Sequence, residues 1–396
     1  MPEKYHVKLL ILALSISIAI NLVSASHWIY ITSAEILAGP PNSTLDVEHI
    51  VDNNFHLDYS NSTCVNTHFY IVAHIDDDFT FLNPDEAIDL QKTNDNIVIM
   101  YLTAGDKGSV YPDPATSKFF WQSRELGGQK VIETLLTEAN KSWTKINVTS
   151  IIDVGGANKT LYNIRYTSGK RNIYVYYFRL PDGFPNGCGR INNGFNSLQK
   201  LYIGGNNSID RCSSTGTYSI NTVKSCDPER PNEYCTTWKK EELTTAITSI
   251  LNYNSAPQAC DNIVNIPHPF EDECWAPNNK PYAHADHEYT GKFAFDAYNN
   301  FYKNHNNTHY AAYRTDTLAF VQRNVTKRQR DADYLLFWNV YAPEVLKNWP
   351  KYVDDEEYKS SGRIFETFYL KQWKAVDTVS CNALPYPNLE NNPVSK

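Results

Sequence analysis

The chain lacks any long run of basic residues. Its 396 residues include 36 Lys and Arg against 44 Asp and Glu, for a formal net charge of −8. Because binding to a nucleic acid backbone depends on clustered Lys and Arg, this distribution argues against nucleic acid as a partner. The sequence also shows no internal repeat, and its length suits one large domain or two modest ones.

No two cysteines have the Cys-x-x-Cys spacing of a zinc knuckle, which argues against a cysteine-ligated structural zinc site. The chain nevertheless contains eight cysteines, an even number that predicts disulfide bonds in an oxidising compartment. Their spacing does not fix the pairing. Cys212, Cys226 and Cys235 fall in a stretch rich in Gly, Ser, Pro and Asn, which indicates a stapled surface insert near 180–235.

Only one long apolar run occurs, and it lies near the N-terminus. Lys4 and Lys8 precede the run Leu9–Val23, and small residues follow it up to Ala25. This run of roughly 15 residues is shorter than a membrane-spanning helix, so we predict a signal peptide over 1–25. An uncleaved signal anchor is the alternative. The mature chain is then expected to have no stable membrane span, and to be secreted or to remain in the lumen of the endoplasmic reticulum.

Eight Asn-x-Ser/Thr sequons support the same compartment, because these acceptor sites are glycosylated in the secretory pathway. They begin at Asn42, Asn61, Asn140, Asn147, Asn158, Asn206, Asn306 and Asn324.

Apolar runs and helical patterns alternate along the central part of the chain. Phe69–Ala73 and Ile97–Leu102 have the composition of buried parallel strands, and helices are predicted near Asp85–Lys92 and Phe119–Thr137. This alternation predicts an α/β fold with a Rossmann-like, doubly wound, mostly parallel sheet flanked by helices. Further elements are predicted at Asn172–Leu180 (strand), Thr237–Leu251 (helix) and Asn262–Ile266 (strand), with another helix from about Phe293. The predicted organisation is an N-terminal extension over 26–62, a main domain over 63–345 and a tail over 346–396.

Two short histidine–aspartate clusters, separated by 210 residues, carry the chemistry. The first follows a predicted strand, and the second precedes a predicted helix. Ligands of doubly wound sheets bind beyond the carboxyl ends of the strands, where the first cluster falls. Together the clusters offer three metal ligands and a spare acid or base, which is the inventory of a catalytic zinc site. The clusters are Ala73-His74-Ile75-Asp76-Asp77-Asp78 and Tyr282-Ala283-His284-Ala285-Asp286-His287.

These clusters resemble the motifs of the PIG-L/LmbE-like de-N-acetylases. That family has Ala-His-Pro-Asp-Asp-Glu after its first strand and His-Pro-Asp-His much later. The segments Tyr101–Asp106 and Trp121–Glu125 are also similar to the version common among extracellular members. The resemblance covers roughly residues 65–305. Ile75 and Asp78 depart from the family pattern, but neither position is a metal ligand in the family.

The resemblance implies a role for each residue of the two clusters. Spacing alone does not decide which of the adjacent Asp76 and Asp77 is the ligand and which is the base. The implied roles are zinc binding by His74, Asp77 and His287, proton abstraction by Asp76, oxyanion stabilisation by a cationic His284 and by Tyr282, and orientation of a histidine by Asp286.

Three further polar residues are candidates. Asp78 is expected to have a structural or capping role beside the ligands. Asp106 and Arg124 are candidate substrate contacts. Arg124 lies on the apolar face of a predicted helix, so it either forms a structural pair with a carboxylate or points into a polar pocket.

The resemblance implies a zinc-dependent de-N-acetylase that removes acetate from N-acetylglucosamine in a glycan or glycolipid. The inositol-linked glycolipid N-acetylglucosaminylphosphatidylinositol remains a possible substrate, although the predicted secretory context does not favour it. One alternative is a non-catalytic glycan-binding protein on the same fold. Another is a non-haem iron oxygenase, because His74-x-Asp76 with a distant histidine also matches its metal triad.

Overall fold

Eleven strands and seven α-helices occur among the residues that the structure, a computed structural model, describes. The described residues are 46–50, 65–82, 85–91, 95–107, 113–139, 142–168, 171–191, 195–204, 223–225, 236–256, 260–267, 269, 284–301, 305–310, 336–350 and 372–374. The strands are β1 Asp46–Ile50, β2 Thr67–Val72, β3 Asn96–Thr103, β4 Thr144–Asp153, β5 Asn158–Ser168, β6 Arg171–Leu180, β7 Val223–Ser225, β8 Thr236–Trp238, β9 Asn262–Pro267, β10 His305–Tyr310 and β11 Gln372–Lys374. The helices are α1 Asp77–Phe81, α2 Asp85–Gln91, α3 Phe120–Glu138, α4 Leu198–Ile203, α5 Lys240–Asn254, α6 Ala285–Asn300 and α7 Ala342–Asn348, which a π-helical turn, Phe337–Tyr341, precedes.

Nine of the described strands form one sheet in the order β1-β4-β5-β6-β3-β2-β9-β10-β11. The five strands from β6 to β10 in this order pair in parallel, as do β1 and β4. Strand β5 is antiparallel to both of its neighbours, and β11 is antiparallel to β10. The fold is therefore α/β with a mostly parallel sheet, as the sequence predicts and as a Rossmann-like architecture requires.

The central strands are apolar on both faces because helices cover both faces of the sheet. Along β2, Phe69 and Ile71 enter a core with side chains of α5 and α6, whereas Tyr70 and Val72 enter a second core with side chains of α3 and α7. All four side chains are almost completely buried. Strands covered on both faces form continuous apolar runs, which explains why the pattern of β2 predicts its place in the sheet.

The sheet extends beyond the domain boundaries that the sequence suggests. Strand β1 lies within the predicted extension over 26–62, and β11 lies within the predicted tail over 346–396, yet both pair in the main sheet. Both strands belong to one compact unit of the chain, which begins at Leu45. Short strands contribute little periodicity, so long-range pairing rather than local sequence places them. The predicted signal peptide lies outside the described residues.

Two other elements differ from the sequence prediction. Thr236–Trp238, where the predicted helix over 237–251 would begin, is strand β8, and α5 begins only at Lys240. Strands β4 and β5 form an antiparallel pair that the sequence analysis did not identify. Both strands mix buried with partly exposed positions, unlike the fully buried β2 and β3, as expected for a sheet region that is covered less completely.

Two of the eight cysteines, Cys188 and Cys260, lie among the described residues, and both are disulfide-bonded. None of the helices in the described part of the chain is long and apolar enough to span a membrane.

Replacement of Ile247 tests the core between the sheet and α5. Ile247 is completely buried, so Ile247→Ala is expected to lower the free energy of unfolding by about 2–5 kcal/mol through lost apolar burial and the resulting cavity. Chemical denaturation measures this change. Lys347→Ala is the control, because its side chain is 72% exposed and its replacement is expected to change stability by less than about 0.5 kcal/mol. Equal stability of the two variants would contradict the packing described here.

Candidate metal centre

The first cluster lies where β2 ends and the short helix α1 begins. The backbone N–H of His74 donates to Oδ2 of Asp77 over 2.7 Å, and the N–H of Asp77 donates to the carbonyl of His74 over 3.2 Å. Asp76 immediately precedes α1. This tight turn places the side chains of His74 and Asp77 side by side at the carboxyl edge of the sheet.

The second cluster forms the start of α6. His284 is the residue that caps the helix, and Asp286 and His287 lie in its first turn. The loop after β6 fixes this turn from outside the helix. The N–H of Gly183 donates to Oδ2 of Asp286 over 2.8 Å, and the N–H of Ala285 donates to the carbonyl of Pro185 over 3.1 Å.

The fold brings His74, Asp77 and His287 together. The Nδ1 atom of His74 lies 3.1 Å from Nε2 of His287 and 3.3 Å from Oδ2 of Asp77. The Nε2 atom of His287 lies 3.2 Å from Oδ1 of Asp77. All three residues are buried, and the set could hold a metal ion. Ligand atoms bound ~2.0–2.1 Å from a tetrahedral zinc are roughly 3.3 Å apart, so these separations fit that ion.

The electrostatics of this set favour a positive charge. Burial raises the pKa of Asp77, but the rings of His287 and His74 outweigh burial and hold that pKa well below its usual value. Burial likewise lowers the pKa of His74, but the carboxylates of Asp77 and Asp286 raise it well above its usual value. The buried carboxylates thus stabilise a positive charge at this position. A bound metal ion would supply that charge.

The second nitrogen of His74 faces a carboxylate. Its Nε2 atom lies 3.3 Å from Oδ2 of Asp286, which also accepts the N–H of Gly183. A proton held on Nε2 leaves the lone pair of Nδ1 directed at Asp77 and His287, and such carboxylate partners are usual for metal-binding histidines. This geometry agrees with the expectation that Asp286 orients a histidine.

A second group of possible ligands shares His74. It comprises His74, Asp182, His284 and Asp286. The Nε2 atom of His284 lies 3.8 Å from Oδ1 of Asp182, and its Nδ1 atom lies 3.8 Å from Oδ2 of Asp286. Because Nε2 of His74 already faces Asp286, we interpret this group as the polar network that orients the ligands of the first set.

The surroundings of His284 bear on its expected cationic state. Burial and the nearby His74 ring lower the pKa of His284 well below its usual value. The N–H of Asp286 donates to Nδ1 of His284 over 3.3 Å, which assigns the ring proton to Nε2. The structure therefore favours a neutral imidazole that can donate a hydrogen bond from Nε2.

Arg124 forms an ion pair with Asp76. Its Nη2 atom donates to Oδ1 of Asp76, Nη1 donates to the carbonyl of Gly105 over 3.1 Å, and Nε donates to the hydroxyl of Tyr341 over 3.0 Å. The arginine is buried. The sequence left open whether Arg124 pairs with a carboxylate or points into a polar pocket, and these contacts show the pair with a carboxylate. Its observed partners position Asp76, and the substrate contact expected of Arg124 stays a prediction.

Asp106 is also a buried structural residue in the described fold. Its Oδ1 atom accepts the N–H of Asp182 over 3.0 Å, which joins the ends of β3 and β6. Asp182 itself was missed by the sequence analysis, although Leu180-Pro181-Asp182-Gly183 directly follows a predicted strand and so carries a recognisable signal. No sequence signal identified Tyr341.

Asp78 is not among the possible ligands. The hydroxyl of Tyr101 donates to its Oδ2 atom, and burial raises the pKa of Asp78 to about 7. This agrees with a structural role beneath the site. Tyr282, the expected oxyanion donor, lies outside the described residues.

Comparisons with known proteins yielded no relative. No protein-family model, no curated protein and no solved structure matches the chain.

Removal of one ligand tests the metal set. Asp77→Asn keeps the size of the side chain but removes its charge, so zinc affinity is expected to fall by more than about 100-fold. Zinc content after dialysis against a weak chelator, measured by atomic emission, reports the loss. Asp182→Asn is the matched control and is expected to retain one zinc ion per chain. Two zinc ions per chain, with one lost in Asp182→Asn, would instead assign the second group as a metal site.

Alanine substitutions at two glycines test the close contact between Gly105 and the guanidinium of Arg124. Gly105 has a φ of +55°, and a Cβ atom there would lie 2.5 Å from Nη1 of Arg124. Gly156 has a φ of +87°, but no atom lies within 4 Å of its Cβ position. Both alanine variants incur backbone strain, whereas only Gly105→Ala displaces the guanidinium. We expect Gly105→Ala to be less stable than Gly156→Ala by about 1–3 kcal/mol in denaturant unfolding, and equal values would refute this contact.

Proposed function

We propose that this chain is a zinc-dependent de-N-acetylase that hydrolyses the acetamide of N-acetylglucosamine in a glycoconjugate. The observation that carries the proposal is the convergence of His74, Asp77 and His287 beside the separately held carboxylate of Asp76. Two imidazoles and one carboxylate are a donor set of catalytic zinc sites. The resemblance to the PIG-L/LmbE-like de-N-acetylases supplies the reaction and the assignment of zinc.

The donor set has a defined chemical use. Zinc held by His74, Asp77 and His287 would polarise the amide carbonyl and make a water molecule more acidic. Asp76 would accept the proton of the attacking water. Its ion pair with Arg124 fixes the carboxylate in one orientation.

The remaining steps use the second cluster. The neutral imidazole of His284 would donate from Nε2 to the oxyanion that forms when water adds to the carbonyl. Tyr282 is the proposed second donor. When the carbon–nitrogen bond breaks, the proton taken up by Asp76 would pass to the leaving amine, giving acetate and the free amino sugar. Asp286 would hold the ring of His74 in position throughout.

We also propose a secretory location for the chain. The predicted signal peptide, the eight sequons and the disulfide-bonded Cys188 and Cys260 are consistent with an oxidising compartment. Asn158 is an exposed sequon residue on β5, where a glycan would be accommodated.

The alternatives make different use of the site. The oxygenase alternative requires iron, and its ligands generally lie on a jelly-roll barrel rather than on a mostly parallel α/β sheet. The non-catalytic glycan-binding alternative does not require Asp76 to be held by a buried arginine, because no proton is transferred. We therefore favour the hydrolase.

Replacement of the proposed base tests the reaction. Asp76→Asn is expected to lower acetate release from N-acetylglucosamine oligomers by about 10²–10⁴-fold, because general base catalysis is lost. Zinc content is expected to remain unchanged, since Asp76 is not among the three ligands. Acetate release by the unsubstituted, full-length chain is measured with and without a chelator.

The controls separate the alternatives. Lys347→Gln is expected to keep full activity, because its side chain is exposed on α7. Full activity of zinc-loaded Asp76→Asn would remove Asp76 as the base. Oxygen-dependent turnover with tightly bound iron would replace the hydrolase by the oxygenase, and glycan binding without acetate release would favour the non-catalytic protein.

A further inference from the structure

The loop that follows β6 presents an exposed aromatic ring close to the candidate metal centre. Phe184 is 40% exposed, one of three large apolar side chains with substantial exposure in the described part of the chain. Phe184 lies two residues after Asp182, whose carboxylate contacts His284. The backbone from Asp182 to Phe184 spans at most about 7 Å. Its φ of +68° is unfavourable for a residue with a side chain, and such strain is concentrated at functional sites.

This loop is anchored rather than loosely exposed. The N–H of Phe184 donates to Oδ1 of Asp182 over 2.7 Å, and the carbonyl of Phe184 accepts the N–H of Gly187 over 2.9 Å. The N–H of Gly189 donates to the carbonyl of Gly183 over 2.8 Å. Because backbone contacts on both sides fix the turn, the ring is held at the surface by the fold.

Arg190 lies over this ring with an unused donor. Its guanidinium carbon is 4.5 Å from the centroid of Phe184, within the range of a cation–π contact. Its Nε atom is buried and has no hydrogen-bond partner among the described residues. A buried donor without an acceptor is costly. Because this Nε atom is shut off from solvent while Arg190 as a whole is only partly buried, an anion would meet the terminal Nη groups of the guanidinium.

We propose that Arg190 and Phe184 form a recognition subsite for an anionic group, a phosphate or a carboxylate, carried by the saccharide that is deacetylated. The planar guanidinium offers parallel N–H donors that match the oxygens of either group. The ring of Phe184 fixes the plane of the guanidinium before the ligand arrives. The proposal rests on the proposed function for the identity of the saccharide, but not for the binding of the anion.

The position of the subsite sets its relation to the reaction. Asp182 and Gly183, in the same loop, contact His284 and Asp286 of the metal centre. The positive charge of Arg190 also contributes to the lowered pKa of Asp182, which places the two side chains in electrostatic reach of each other. A substituent bound by Arg190 would thus lie on the side of the site where Asp182 contacts His284, and could select among acetylated sugars.

Direct binding tests the subsite independently of turnover. Zinc-loaded, full-length Asp76→Asn protein, which should not consume its ligand, is titrated calorimetrically with four probes. The probes are N-acetylglucosamine, its 1-phosphate, its 6-phosphate and its disaccharide with glucuronic acid. We expect at least one anionic probe to bind about tenfold more tightly than the neutral sugar, and the phosphate and carboxylate probes distinguish the two kinds of anion.

Three further substitutions in this background identify the group responsible. Arg190→Gln is expected to abolish the anion preference while leaving affinity for the neutral sugar within about twofold. Arg190→Lys, which keeps the charge but loses the planar donors, is expected to retain part of the preference. Lys347→Gln removes a remote positive charge and is expected to change neither affinity. Thermal unfolding of each variant shows whether it is folded.

The outcomes are distinct for the subsite and for the enzyme. Loss of the anion preference in Arg190→Gln alone supports the subsite. Absence of any preference in the parent protein, or its persistence in folded Arg190→Gln, overturns it. Acetate release by the chain with Asp76 intact is measured separately. Absence of acetate release would contradict the proposed function without affecting the anion subsite, and absence of an anion preference would contradict the subsite without affecting the proposed function.

Discussion

The buried imidazole of His74 is the contact on which the rest of the site depends. Its Nδ1 atom faces Asp77 and His287, and its Nε2 atom faces Asp286. One ring thus joins a cluster at the end of β2 to a cluster at the start of α6. Burying so many ionisable groups is expensive unless each is paired or a metal ion compensates the negative charge. The site is accordingly supported on all sides by backbone donors and by buried ion pairs.

That support comes from two loops at the same edge of the sheet. The loop after β3 supplies the carbonyl of Gly105 to Arg124, which in turn holds Asp76. The loop after β6 supplies the N–H of Gly183 to Asp286. Because β6, β3 and β2 are adjacent and parallel, their carboxyl ends meet, and each loop needs to extend only a few residues to reach the candidate metal centre.

The sequence predicted the central fold because its main strands are covered on both faces. Buried parallel strands contain continuous apolar runs, as in β2 and β3, so they are recognisable without knowledge of their partners. Strands β1 and β11 were assigned to an extension and a tail because they are short and lie far along the chain from their partners. Their place in the sheet follows from pairing with β4 and β10, which local patterns do not report.

The state of His284 illustrates the same limit for the site. The sequence placed it three residues before a ligand and suggested a cation. Its protonation depends on burial, on the charge of His74 and on the N–H of Asp286, none of which is readable from spacing. Arg124 is similar, since its position on an apolar helix face required a partner but did not identify Asp76, 48 residues earlier, as that partner.

The sequence by itself determined which side chains are candidate metal ligands. It also determined their approximate positions, in two histidine–aspartate clusters at the ends of recognisable strands and helices. It did so because donor identity and strand or helix periodicity are local properties. Only the tertiary structure decided which nitrogen of His74 faces which carboxylate, that Asp182 joins the network, and that Arg190 lies over Phe184 beside it. These relations depend on which strand ends are neighbours, and strand order is set by contacts between segments far apart in the chain.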